Sequence, residues 1–294
     1  MNRTDLQDQI TGLIIDQLEQ GTVPWHKGWR VSGVQHSNLI SKKSYRGINA
    51  LILSIVGSEY SSPYWLTYKQ ASDLGGSVRK GEKGTHITYY AKIAKKAKED
   101  QDPKEVKGSF ALLRDYVVFN TDQCDGITVP EIIKGEPVLA LDAIDQLLDG
   151  EVWNCPEVRY VGQDRAYYSP SADQITLPLV EQFESPQEHA YTLAHELTHS
   201  TGHESRCNRW SNPEDKPSQF GCESYAKEEL VAEIGACMLL TMIGVEVDIK
   251  NSGAYIKSWL GALKDDRTLI FSASAKANQA CTLIMGEVKE GVSA

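Results

Sequence analysis

Apolar residues recur at helical spacing at the start of the chain. Leu6, Ile10, Leu13, Ile14 and Leu18 share one face, and Gly21 and Pro24 close the run, which predicts one opening amphipathic helix. The apolar stretch ALILSIVG at 50–57 reads as a short buried helix or strand, whereas TYKQASDLGG at 67–76 reads as a helix stopped by its glycines. Strand-like alternation appears in THITYYAKI at 85–93, and ALLRDYVVFN at 111–120 reads as the next strand. The charged KKAKEDQDPKEVKG between them predicts a hairpin loop. Further on, LALDAIDQLLDG (139–150) is helical, VRYVGQDRAYYSPSADQITLP (158–178) reads as two strands joined by turns, and PQEHAYTLAHELTHSTGH (186–203) as a long helix. Three more helices, at 224–244, 252–264 and 272–288, complete an α+β layout.

Charge divides this layout in two. Residues 1–130 hold 17 Lys and Arg against 14 Asp and Glu, which leaves 13 against 26 for residues 131–294 of the chain's 30 and 40. The segment CDGITVPEIIKGEP at 124–137 marks the change, so two α+β domains are expected, 1–130 and 131–294. Within residues 20–98 the balance is 13 basic to 3 acidic, the footprint of a surface that meets a polyanion. The six cysteines form no CxxC pair and read as reduced thiols. No run of eighteen apolar residues occurs and the N-terminal pattern is amphipathic with acids, so no membrane association and a cytoplasmic location are expected.

The sharpest chemical signal is His195-Glu196-Leu197-Thr198-His199. On a helix, residues four apart lie one turn above each other, so both imidazoles can reach one ion while Glu196 points toward the remaining coordination position as general base. Imidazole ligands suit Zn²⁺, with Mn²⁺ or Co²⁺ as alternatives. A catalytic zinc takes a third protein ligand. His203 lies too far along a continued helix, and the metzincin spacing HExxHxxGxxH, matched at Gly202, puts its third histidine at Ser205. In thermolysin-like gluzincins a glutamate on the next helix binds the metal and an acid four residues later supports a ligand histidine. Glu229 and Glu233 have that spacing, with Glu228 as the fallback ligand. The stretch from Tyr168 to Pro178 suits, by analogy with zincins, an edge strand over the zinc helix that pairs with an extended peptide.

The basic half interleaves cations with aromatic side chains in PWHKGW, YRGIN, YWLTYKQ and VRKGEKGTHITYY. Cations attract phosphates and aromatic faces stack on unpaired bases, so single-stranded nucleic acid is the expected ligand. Candidate contacts are Trp25, Trp29, Tyr45, Arg46, Lys69 and the glycine-rich turn with Arg79, Lys80 and Lys83. Tryptophan is also, on average, a buried residue.

PWHKGW, YRGIN, WLTYKQASDLGG and VRKGEKGT, followed by LAHELTHSTGH and YAKEELVAE, occur in the order seen in the ArdC-type plasmid antirestriction proteins, and nearly the whole chain resembles that family. The resemblance implies an N-terminal single-stranded-DNA-binding domain fused to a zincin-like, gluzincin-type metallopeptidase domain. It carries over His195, His199 and Glu229 as metal ligands and Glu196 as the catalytic acid/base. It further implies a bacterial, plasmid-encoded protein that protects incoming DNA in the conjugation recipient, acting on a protein substrate or a component of the restriction system. A non-catalytic protein that shields DNA or binds a restriction enzyme, with a structural metal, is the alternative.

Overall fold

The computed structural model describes residues 3–26, 30–31, 34–94, 109–131, 140–212, 223–246 and 253–286. The first half contains α1 (Arg3–Glu19), a 3₁₀ turn (Pro24–His26), β1 (Arg30–Val31), β2 (Val34–Gln35), β3 (Ser37–Asn38), α2 (Gly47–Gly57), β4 (Tyr64–Leu66), α3 (Tyr68–Asp73), β5 (Ser77–Val78), β6 (Thr85–Ala94), β7 (Ser109–Asn120) and β8 (Cys124–Asp125). The second contains α4 (Ala140–Ile144), β9 (Glu157–Val161), β10 (Tyr167–Ser169), β11 (Gln174–Pro178), α5 (Pro186–Ser200), α6 (Glu223–Ile243), α7 (Gly253–Asp265) and α8 (Leu269–Met285). Mixed helices and sheets in both halves match the expected α+β class. Among the described residues no helix is long and apolar enough to cross a membrane.

In the first half, a four-stranded sheet runs β3-β4-β7-β6, and β6 and β7 form an antiparallel ribbon in register from Thr85↔Val118 to Ala94↔Ser109. The charged loop expected between them lies outside the described residues. The apolar run 50–57, broken only by Ser54, is a helix buried on two sides. Leu51 and Ile52 enter the main core, while Leu53 joins Trp65, Ile87 and Val118 under the sheet.

The main core draws on both halves. Leu6, Ile10, Ile14 and Leu18 of α1, with Val23 and Trp25, pack with Leu193 and Leu197 of α5, Leu230 and Ile234 of α6, Trp259 of α7 and Ile270 of α8. The opening helix, grouped with the basic half by its place in the sequence, thus docks on the helices of the acidic half. α6 is buried almost all round, which explains why its sequence from Leu230 to Ile243 is apolar except at Glu233 and Thr241. Gly235 lets it approach α5: a Cβ there would lie 2.5 Å from Thr198 Cγ2. Thr198 cannot easily yield, since its hydroxyl donates to Ala194 O at 2.8 Å.

One strand expectation needs correction. Tyr168 to Pro178 is a hairpin and not a single edge strand, because Asp173 adopts a left-handed turn conformation at φ 48°. β11 is the centre of the sheet β10-β11-β9, parallel to β9, and the three-residue β10 is the edge that packs toward α5. Arg206 fixes this hairpin to the end of α5. Its guanidinium donates to both Asp173 oxygens, at 2.7 and 2.9 Å, and to Ser200 O at 3.1 Å.

Candidate metal centre

α5 begins where Ser185 accepts from the Glu188 amide and Pro186 occupies the first turn. Four residues of rise then place His195 and His199 on one side, facing α6. Their Nε2 atoms are 3.1 Å apart. Glu229 reaches both: its Oε2 is 3.5 Å from His195 Nε2 and its Oε1 is 3.4 Å from His199 Nε2. Two atoms each about 2.0–2.1 Å from a tetrahedral ion are separated by about 3.3 Å, so these three spacings fit one zinc-sized ion. Two imidazole nitrogens and a carboxylate oxygen are also the donor set such an ion prefers. Glu196 is 7% exposed, and its negative charge raises the pKa of both imidazoles.

The outward nitrogens of the two imidazoles face carboxylates as well. His199 Nδ1 is 3.3 Å from Glu228 Oε1, and His195 Nδ1 is 3.6 Å from Glu233 Oε1, an ion-pair separation and not a hydrogen bond. Glu228, the fallback ligand in the sequence reading, therefore stands behind His199. Arg209 holds it there: Nη2 donates to Glu228 Oε1 at 2.5 Å and to Thr198 O at 2.9 Å, and Nη1 donates to Thr201 Oγ1. Behind His195, Glu233 Oε2 accepts from Tyr191 Oη at 2.7 Å and from His26 Nε2 at 3.0 Å.

Four carboxylates here, Glu196, Glu228, Glu229 and Glu233, are each no more than 7% exposed, and Arg209 is the buried guanidinium among them. Burial alone would lower the His199 pKa, but Glu228 and Glu229 outweigh it and push the imidazole up to about 10. Burial would likewise raise the carboxyl of Glu228, yet Arg209 and His199 bring it down to about 2, and the two imidazoles hold Glu229 well below the usual carboxylate range. This field favours a cation between the two Nε2 atoms.

His203 stands apart, its Nδ1 2.8 Å from Ser205 Oγ in the turn that follows α5. Gly202 matters for packing: a Cβ there would strike the ring of Trp210. Arg209, Tyr191 and His26 were missed from the sequence. For Tyr191 a signal existed, since 191, 195 and 199 form one stripe of α5.

The candidate DNA contacts divide by burial. Trp25 is 0% exposed, edge-to-face on Trp259 with centroids 5.1 Å apart, so it is unavailable for stacking on a base. Tyr45 is half-buried against the core under the sheet, and Trp29 lies outside the described residues. Arg46, Lys69, Lys80 and Lys83 are exposed. Arg79 is exposed too but donates to Glu82 Oε1 at 2.8 Å and Asp122 O at 2.6 Å, which ties it to its own turn. Among the described residues of the first half, the exposed tyrosines, none of them named as a candidate contact, are Tyr68, Tyr89 and Tyr116. Tyr89 and Tyr116 meet edge-to-face across the β6–β7 ribbon, 6.1 Å between centroids, with exposed Arg114 paired opposite Tyr89.

Residues 4–119 match the N-terminal domain of anti-restriction factor ArdC, and residues 155–276 match the zincin-like metallopeptidase family. Crystal structures of the antirestriction ArdC protein from plasmid R388, one metal-free and one Mn(II)-bound, superpose with TM-scores of 0.75 and 0.74. They share 38% identity with this chain and cover 95% of it and 96% of their own length. Two DNA primase TraC proteins of Escherichia coli are 37% and 36% identical over 92% and 90% of this chain, which spans only 26% and 19% of their length. The protein y4eC of Sinorhizobium fredii (strain NBRC 101917 / NGR234) is 32% identical over 94% of this chain and 90% of its own. The chain belongs to the ArdC family of antirestriction proteins, with an ArdC-type N-terminal domain followed by a zincin-like metallopeptidase domain.

Proposed function

We propose that this chain is a zinc-dependent metallopeptidase that binds single-stranded DNA through its N-terminal half and protects incoming plasmid DNA in the cytoplasm of a conjugation recipient. The observation that carries the reading is the convergence of His195 Nε2, His199 Nε2 and the Glu229 carboxylate within reach of one ion. His195, His199 and Glu229 would hold the metal; when bound, it supplies Lewis acidity that acidifies water and polarises a carbonyl. Glu196 takes a proton from the attacking water and returns it to the leaving amine, so one water is consumed per peptide bond broken. Glu228, braced by Arg209, orients His199, and Glu233 orients His195. The exposed edge of β10, clamped beside α5 by Arg206, offers backbone groups to an extended peptide substrate. Tyr68, Tyr89 and Tyr116 supply stacking faces, and Arg46, Lys69, Lys80, Lys83 and Arg114 attract the phosphates. The protein substrate belongs to the restriction system or to whatever else acts on the entering strand.

The test compares wild type with Glu196→Ala, each with its zinc content measured, for cleavage of a disordered protein with and without single-stranded DNA. Wild type should cleave and the variant, still holding one zinc, should be slower by about 10²–10⁴-fold. Zinc-loaded wild type that cleaves nothing under either condition would favour a DNA-shielding protein with a structural metal.

A further inference from the structure

The 3₁₀ turn Pro24–His26 is wedged into the helices of the zincin-like domain. Val23 and Trp25 are 1% and 0% exposed, and Trp25 packs edge-to-face on Trp259 of α7. That anchor delivers His26, itself 3% exposed, to Glu233 on α6, a residue 207 positions away in sequence. A carboxylate only accepts, so His26 Nε2 is the donor in the 3.0 Å contact with Glu233 Oε2. The same oxygen accepts from Tyr191 Oη at 2.7 Å. Two donors on one oxygen fix the plane of the carboxylate and leave the other oxygen, Oε1, facing His195 Nδ1 at 3.6 Å. His195 Nδ1 is buried and has no hydrogen-bond partner, and shortening that gap by a few tenths of an ångström would satisfy it.

We infer that His26 is a positioning residue of the metal centre: the ArdC-type N-terminal domain completes the site by holding Glu233 so that it orients His195 for the ion. The inference rests on the proposed ligand set and adds to it a chain His26–Glu233–His195 that crosses from one half of the molecule to the other. Burial of PWH, first read as part of a DNA surface, follows directly. A histidine 3% exposed cannot meet a nucleic acid, but it can donate to a buried carboxylate.

The test uses the full-length protein and measures the zinc dissociation constant by chelator competition for wild type, His26→Ala, His26→Gln, Tyr191→Phe and Glu229→Ala. The visible spectrum of each Co²⁺-substituted form and its thermal midpoint are recorded alongside. Removing a group that orients a ligand weakens metal binding about 10–100-fold, and His26→Ala should fall in that range with an altered cobalt spectrum. His26→Gln places an amide N–H near the position of Nε2 and should recover much of the affinity. Tyr191→Phe, which deletes only a hydroxyl, should show a smaller loss and provides the same readout if His26→Ala does not fold. Zinc affinity and cobalt spectrum equal to wild type in His26→Ala would overturn the inference, as would the same result in Tyr191→Phe should His26→Ala not fold. If Glu229→Ala also binds as wild type does, the ligand set itself is wrong, and that failure is distinguishable from a failure of His26 alone.

Discussion

The candidate metal centre and the residues proposed to meet DNA use charge in opposite ways. At the centre, Glu228, Glu229 and Glu233 are 5%, 5% and 7% exposed, and imidazole, phenol or guanidinium groups surround them. Among the proposed DNA contacts of the N-terminal half, Tyr68 and Tyr89 are 63% and 54% exposed, and Lys69, Lys80 and Lys83 stand in solvent. Buried charges admit few arrangements, because each must find a partner or carry a large desolvation cost. That rigidity suits a single ion of fixed size. Exposed cations and rings cost little to rearrange, which suits a polyanion whose sequence varies.

The largest expected effect sharpens the buried side of this contrast. Arg209→Met removes the cation that answers Glu228 and should destabilise the fold by about 3–5 kcal/mol, measured by denaturant unfolding. A change below about 1 kcal/mol would place Arg209 with the surface ion pairs instead. Trp25→Ala and Tyr89→Ala then set the two regions against each other. Trp25→Ala should cost about 3–5 kcal/mol of stability. While the variant remains folded, its affinity for single-stranded DNA should be unchanged. Tyr89→Ala should leave stability within about 0.5 kcal/mol and weaken DNA binding by about 1–3 kcal/mol. The reverse pattern would overturn the division by burial.

A pH dependence tests the buried side again. Glu228 is brought down to about 2 from an ordinary value of 4.5, by Arg209 and His199 against the opposing effect of burial. A carboxyl whose folded pKa is depressed contributes stability in full above its unfolded pKa and loses it as pH falls toward the folded one. Metal-free wild type should therefore lose stability between about pH 4.5 and 2, and Glu228→Gln should flatten that limb. Equal acid profiles would remove Glu228 from the account.

What was legible in the sequence follows the same division. His195, Glu196 and His199 lie on one helix, and Glu229 and Glu233 on another, so four-residue spacing converts directly into shared faces. In the fold His195, His199 and Glu229 lie within reach of one another. Arg209 and His26 reach the centre from a loop and a 3₁₀ turn, by contacts between distant segments that no periodicity encodes. Trp25 shows the limit of composition: beside lysine and a second tryptophan it looks like a stacking residue, yet only its packing on Trp259 decides. The docking of α1 was hidden for the same reason, since an amphipathic stripe states that a partner exists without saying which. Asp173, by contrast, sits in a Pro-Ser-Ala-Asp turn already visible between two strands, although the edge was assigned to too long a stretch.

The most direct test of the central claim is the anomalous scattering at the zinc edge from crystals of the zinc-loaded protein. The account predicts one peak bounded by His195 Nε2, His199 Nε2 and the Glu229 carboxylate, with Glu228 and Glu233 behind the two imidazoles. A peak coordinated by Glu228 or His203 in place of Glu229 would contradict it.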